Sequence, residues 1–78
     1  MMKVLYFAHI KAKVNRAQDE FTFSDPITVA DFKVHLGKTY PNIQGESYQI
    51  AVNEEFVKDD ELIHNSDVVA LIPPVSGG

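Results

Sequence analysis

The strongest helical periodicity in the chain falls in one segment, DPITVADFKVHLGKTYP (25–41). Within it Val29, Phe32, Leu36 and Tyr40 recur at i, i+3, i+7 and i+11, so they line up as one apolar stripe. Thr28 followed three residues later by Asp31 resembles a capping box with Asp in place of the usual Glu or Gln. Pro41 stops the helix. Gly37 inside it weakens the helix by about 1 kcal/mol relative to Ala. A chain of 78 residues builds one modest core, and one helix covers one face of a sheet. The remaining apolar residues must therefore be strands packed against this stripe.

The strand signals fit that demand. KVLYFA (3–8) is rich in branched and aromatic residues, and DEFTFS (19–24) alternates, with Phe21 and Phe23 on one face. Between them HIKAKVN (9–15) is a basic connection with room for about one helical turn. SYQIAV (47–52) and EFV (55–57) flank a turn at Asn53–Glu54, since Asn tolerates positive φ. KDDELIHNSD (58–67) is an acidic loop with Leu62 and Ile63 able to tuck under, and VVALI (68–72) is the last strand, closed by Pro73. The order strand, strand, helix, strand, short strand, strand predicts an α+β, ubiquitin-like β-grasp fold. Its mixed sheet has four to five strands, one main helix packs on one face, and the first and last strands are the central neighbours.

Those two central strands are apolar on both faces. Val4, Tyr6 and Ala8 point one way and Leu5 and Phe7 the other; Val69 and Leu71 oppose Val68, Ala70 and Ile72. The single helix leaves one face bare, so Leu5, Phe7 and Ile72 are expected to merge into an exposed apolar patch, which reads as a docking surface.

Composition removes several functions. The net charge is −4, and of the seven basic residues only Lys11, Lys13 and Arg16 cluster, too few to track a phosphate backbone; no nucleic-acid partner is expected. No apolar run approaches the roughly 20 residues of a membrane span, and the start lacks the features of a signal peptide. The expected location is cytoplasmic, with no membrane partner. Cysteine is absent, which excludes disulfides, thiolate metal sites and a thiol nucleophile. His9, His35 and His64 are scattered over a strand end, a helix and a loop, so no metal site is expected. Asp59, Asp60 and Glu61 lack the glycine and ligand spacing of a calcium loop and read as solvated.

The end of the chain is IPPVSGG. Pro73 and Pro74 fix φ and favour an extended path. Pro74 to Gly78 spans roughly 17 Å at full stretch. Ser76 is small and Gly77 and Gly78 have no side chains, so this arm can thread a narrow channel and present its carboxylate in another protein. The expected organisation is a domain over 1–74 and a flexible Gly-Gly tail over 75–78. A carboxylate becomes an acyl donor once AMP is attached to it. An amine acceptor then gives ubiquitin-like conjugation, and a sulfur donor gives a C-terminal thiocarboxylate, which stores activated sulfur without a cysteine. A plain interaction module with an inert tail has the same fold.

KVLYFA, the short basic connection after it, AVNEEFV (51–57) and DVVALIPPVSGG (67–78) together resemble the family of small, sulfur-carrying subunits of molybdopterin synthase. The resemblance spans nearly the whole chain, and PPVSGG and AVN are its specific parts. The wider group includes the thiamine-pathway sulfur carrier and ubiquitin-like modifiers conjugated through the terminal glycine, here Gly78. The resemblance implies a protein that is not an enzyme on its own but the sulfur-donating subunit of a complex. Gly78 would be adenylated by a partner related to ubiquitin-activating enzymes, which uses ATP and magnesium; the chain itself would bind no cofactor. Sulfur from a donor protein would replace AMP, and the tail would enter the large catalytic subunit of a heterotetramer to donate sulfur to cyclic pyranopterin monophosphate. Gly77 and Gly78 match the essential tip. Phe7, Lys11, Leu71, Ile72, Pro73, Pro74, Val75 and Ser76 match partner-facing positions. Ile72 is aliphatic where some members carry an aromatic, and Lys11 stands where members often carry Arg, which weakens any bidentate contact there.

Overall fold

The structure is a computed structural model that describes residues 1–74. Its elements, in chain order, are β1 (Met2–Tyr6), α1 (Ala8–Val14), β2 (Gln18–Phe21), β3 (Ile27–Thr28), α2 (Val29–Thr39), a 3₁₀ turn (Pro41–Ile43), β4 (Gln49–Val52), β5 (Glu55–Phe56), β6 (Leu62–Ile63) and β7 (Val68–Ile72). A five-stranded mixed sheet has the order β2-β1-β7-β4-β5, and β3 and β6 form a separate two-stranded ribbon. The first and last strands pair in parallel at the centre, Val4 opposite Val69 and Tyr6 opposite Leu71, while β2, β4 and β5 add antiparallel neighbours.

The main helix forms where its stripe predicts. Thr28 is its N-cap, its hydroxyl accepting from the Asp31 N–H at 3.1 Å. Val29, Phe32 and Leu36 are fully buried against Met2, Val4, Val69 and Leu71 of the sheet in one core. Each such side chain contributes about 1.5–3 kcal/mol by leaving water. Gly37 is half-covered by Gln44, whose Nε2 donates to the Gly37 carbonyl at 2.8 Å. A Cβ at Gly37 would stand 3.2 Å from Gln44 Cγ, so the glycine leaves room for that close approach.

The connection after β1 is a two-turn helix rather than a single turn. Ile10 and Val14, four residues apart, are both buried, and Asn15 closes the helix in the left-handed region at φ 61°. Ala8, at φ 51°, turns the chain between β1 and this helix. Phe7 thereby stays on the outer side while Ile10 and Val14 reach the core. Glu46 ties α1 to the loop before β4, contacting His9 Nε2 at 3.3 Å and Lys13 Nζ at 3.2 Å.

The second strand ends at Phe21, earlier than its alternating pattern suggests. Asn65 takes over Phe23: its Nδ2 donates to the Phe23 carbonyl at 2.7 Å and its Oδ1 accepts from the Phe23 N–H at 3.0 Å. The chain is thus drawn off the sheet edge, yet Phe21 and Phe23 both pack on the core and on the edge of His35. In the acidic loop only Ile63 tucks under, fully buried, while Leu62 stays exposed. On the core side Asp19 gathers three donors. Tyr6 Oη donates to it at 2.8 Å, Tyr40 Oη also donates to it, and Arg16 pairs with its other oxygen at 2.8 Å. This network staples the end of α2 to β1 and β2. Burial, reinforced by the bond to Asp19, pushes the Tyr6 phenol far above its usual range, so it remains a donor.

Candidate functional site

With α2 on one face, strand parity assigns the other. Leu5 pairs with Ala70, Ala70 with Ala51 and Ala51 with Phe56, one unbroken row across β1, β7, β4 and β5. Their inward neighbours Val4, Val69 and Ile50 are buried in the core, so this row points away from it. Val68 and Ile72 extend the row along β7, and Phe7 joins it at the end of β1. The result is a shallow apolar depression whose single charged lining residue, among the described residues, is Glu54, at the β4–β5 turn. Phe7 is 44% exposed and Phe56 65% exposed. Both are open to solvent among the described residues, and the patch is continuous, unlike the scattered apolar residues of an ordinary surface.

The arm starts at the same place. Ile72 and Phe56 belong to the patch and, together with Gln49, Pro73 and Pro74, also line a second depression beside it. The last described residues therefore leave the sheet along the edge of the apolar face. Pro73 is half-buried and Pro74 exposed.

The described residues expected at the partner surface fall into three sets. Phe7, Ile72, Pro73 and Pro74 lie together on the open face or at its margin. Lys11 lies on the exposed side of α1, one turn beyond Phe7, next to Arg16 in a separate depression. Leu71 is a correction: it is fully buried and packs in the core. Its parity with Val69 turns it toward α2, so its side chain holds β7 in place and offers nothing to a partner. Val75, Ser76, Gly77 and Gly78 lie outside the described residues, as does the division of the chain at 74/75.

Sequence reasoning missed Phe56 and Glu54, and it set Val68 on the same face as Ile72 without counting it in the patch. Phe56 reads as one more apolar residue in a short strand. Its face follows only from the two-residue turn at Asn53–Glu54, which sets Val52 against Glu55 and Ala51 against Phe56. That register was the available signal. The three histidines stay apart, His9 at Glu46, His35 between Phe21 and Phe23, and His64 at Asp67. Among the described residues, no group of three or more His, Asp or Glu is arranged to hold a metal ion, and no helix is long and apolar enough to cross a membrane.

A mixed five-stranded sheet with parallel central strands and one main helix across one face defines a ubiquitin-like β-grasp domain. Comparison with known proteins narrows the class. Residues 4–78 match the ThiS family, and the chain belongs to that family. Over 81 residues it is 31% identical to a molybdopterin synthase sulfur carrier subunit of Chlamydomonas reinhardtii, covering 99% of this chain and 98% of the relative. A protein of the same description from Dictyostelium discoideum is 34% identical over 83 residues, covering 97% and 94%. Among solved structures, a Pyrococcus furiosus protein described as molybdopterin converting factor subunit 1 superposes with a TM-score of 0.87 at 27% identity, over 95% of this chain and 97% of that one. SAMP1 of Haloferax volcanii superposes with a TM-score of 0.83 at 23% identity, over 99% and 98%, a likeness of fold.

Proposed function

We propose that this chain is the sulfur-carrier subunit of a molybdopterin synthase. The observation that carries the reading is the continuity of the open apolar face with the root of the C-terminal arm, in a chain whose family match runs through Gly77 and Gly78. Its curated relatives bear the same description. A domain docked through Leu5, Phe7, Phe56 and Ile72 would aim the arm beyond Pro74 into the partner it sits on. The face supplies affinity and orientation, and the arm supplies the reacting group.

In this proposal an adenylating partner of the ubiquitin-activating type joins the Gly78 carboxylate to AMP, using ATP and magnesium and releasing pyrophosphate. A persulfide of a donor protein attacks the acyl carbon and AMP leaves. A second thiol then cleaves the S–S bond, so that the glycine keeps one sulfur as a thiocarboxylate. The large catalytic subunit receives the arm within a heterotetramer, and the sulfur passes to cyclic pyranopterin monophosphate toward the dithiolene. In this reading the carrier supplies the reacting carboxylate and its partners supply the catalytic side chains.

Deleting Gly78, or adding one residue after it, tests the reading. Sulfur delivery by the reconstituted synthase should be lost while the melting temperature stays unchanged, because the reacting group is removed and the core is not touched. Full delivery by the shortened chain would contradict the proposal.

A further inference from the structure

The β4–β5 turn holds two successive residues in the left-handed region, Asn53 at φ 51° and Glu54 at φ 71°. With Val52 paired to Glu55 across it, this is a two-residue hairpin turn of the mirror-image type, in which the second position strongly favours glycine. Asn53 meets the demand and gains bonds to Asp67 and Val68 there. Glu54 does not: its Cβ makes the conformation costly. Among the described residues its carboxylate makes no ion pair and no side-chain hydrogen bond that would offset the cost. A strained residue with no local compensation points to a role outside its own fold.

Its position names the role. Glu54 lines the apolar depression with Phe7, Phe56 and Ile72, and a neighbouring one with Leu5 and Val68. Among the described residues it brings the only charge to the lining of this depression, whose other lining side chains are apolar, while Lys3 and Glu20, paired across β1 and β2, stand farther along the same open face. We infer that Glu54 is a specificity-determining residue, its carboxylate selecting a partner that presents a basic side chain at the rim of this face. The inference rests on the sulfur-carrier reading above for the identity of that partner. A charge at an interface rim acts mainly on association rate and on the choice of partner. An apolar face alone accepts any apolar surface of similar shape, whereas a carboxylate at its margin penalises a partner that leaves it unpaired or meets it with another carboxylate.

The test compares the unchanged chain with Glu54→Gly, Glu54→Gln and Glu54→Lys, measuring melting temperature and docking on the large synthase subunit. Glu54→Gly should raise the melting temperature by about 5 °C and still dock more weakly, opposite signs that a purely structural residue does not give. Glu54→Gln should leave stability nearly unchanged and weaken docking about fivefold, chiefly in the association rate, with the difference vanishing near 1 M salt. Glu54→Lys should weaken it about fiftyfold. Equal affinity of the Gln and Lys variants and the unchanged chain would overturn the inference and leave the carrier reading standing. Failure of the unchanged chain itself to bind the large subunit would overturn both.

Discussion

Asn53 and Val68 exchange two hydrogen bonds: the Asn53 N–H donates to the Val68 carbonyl at 2.8 Å, and the Val68 N–H donates to Asn53 Oδ1 at 3.0 Å. The asparagine side chain thus completes the β4–β7 ladder just where the turn would otherwise end it. Its Nδ2 reaches Asp67 Oδ1 at 3.0 Å, and Asp67 Oδ2 accepts from the His64 N–H at 2.8 Å. A four-residue cluster of Asn53, His64, Asp67 and Val68 therefore sets the direction of the turn that carries Glu54 and leads into Phe56. This gives the AVN motif a physical meaning, since the turn on the open apolar face is built on Asn53.

The cluster predicts an acid response. The backbone N–H of His64 is the main cause that holds the Asp67 carboxyl below its ordinary range; burial opposes it, and the Asn53 amide adds a lesser lowering effect. A carboxylate lowered on folding stabilises fully above its unfolded value of about 3.9, and that stability is lost as pH falls through the lower folded value. Asp67→Asn should therefore cost about 1 kcal/mol at pH 7 and reduce the slope of stability against pH below about 4. Urea titrations at several pH values would measure both. An unchanged acid slope in the variant would contradict the assignment.

Phe7 and Leu71 should separate docking from folding. Phe7→Asp places a charge on a face that is open in the free domain, so stability should change little. Affinity for the large subunit should fall by at least about 2 kcal/mol, because that charge must be desolvated on docking. Leu71→Ala should do the reverse, costing about 2–5 kcal/mol of stability through the cavity it leaves, while the fraction that remains folded docks normally. Thermal melts with calorimetric titrations distinguish them. Unfolding of Phe7→Asp, with binding that tracks only the folded fraction, would place Phe7 in the core.

Much of this architecture was legible before any coordinates. The stripe of Val29, Phe32 and Leu36, the Thr28 cap and the two-faced apolar strands at each end yield the helix, the central pairing of the first and last strands and the bare face; that the two run parallel is a finding of the structure. What escaped depends on partners distant in sequence. Two apolar residues, Ile10 and Val14, are too few to announce a helix, yet both are buried and α1 forms around them. The early end of β2 depends on Asn65, 42 residues beyond Phe23. The place of Phe56 on the open apolar face depends on a strand register that the turn fixes only once its two left-handed residues are known. Leu71 was readable from parity alone, which turns it inward with Val69. Its inclusion among surface residues followed its neighbours in the motif rather than its own direction.

The central claim is that Gly78 becomes a thiocarboxylate, and intact mass tests it most directly. The chain is incubated with its adenylating partner, ATP, magnesium and a persulfide donor, and the product is then fragmented to locate any change. The account predicts a gain of about 16 Da, sulfur replacing one oxygen, confined to the fragment that ends in Gly78. A mass that stays constant, or a gain that maps to Met1 or Met2 as oxidation would, contradicts it. So does a product in which Gly78 is joined to a lysine of another protein and no sulfur is found.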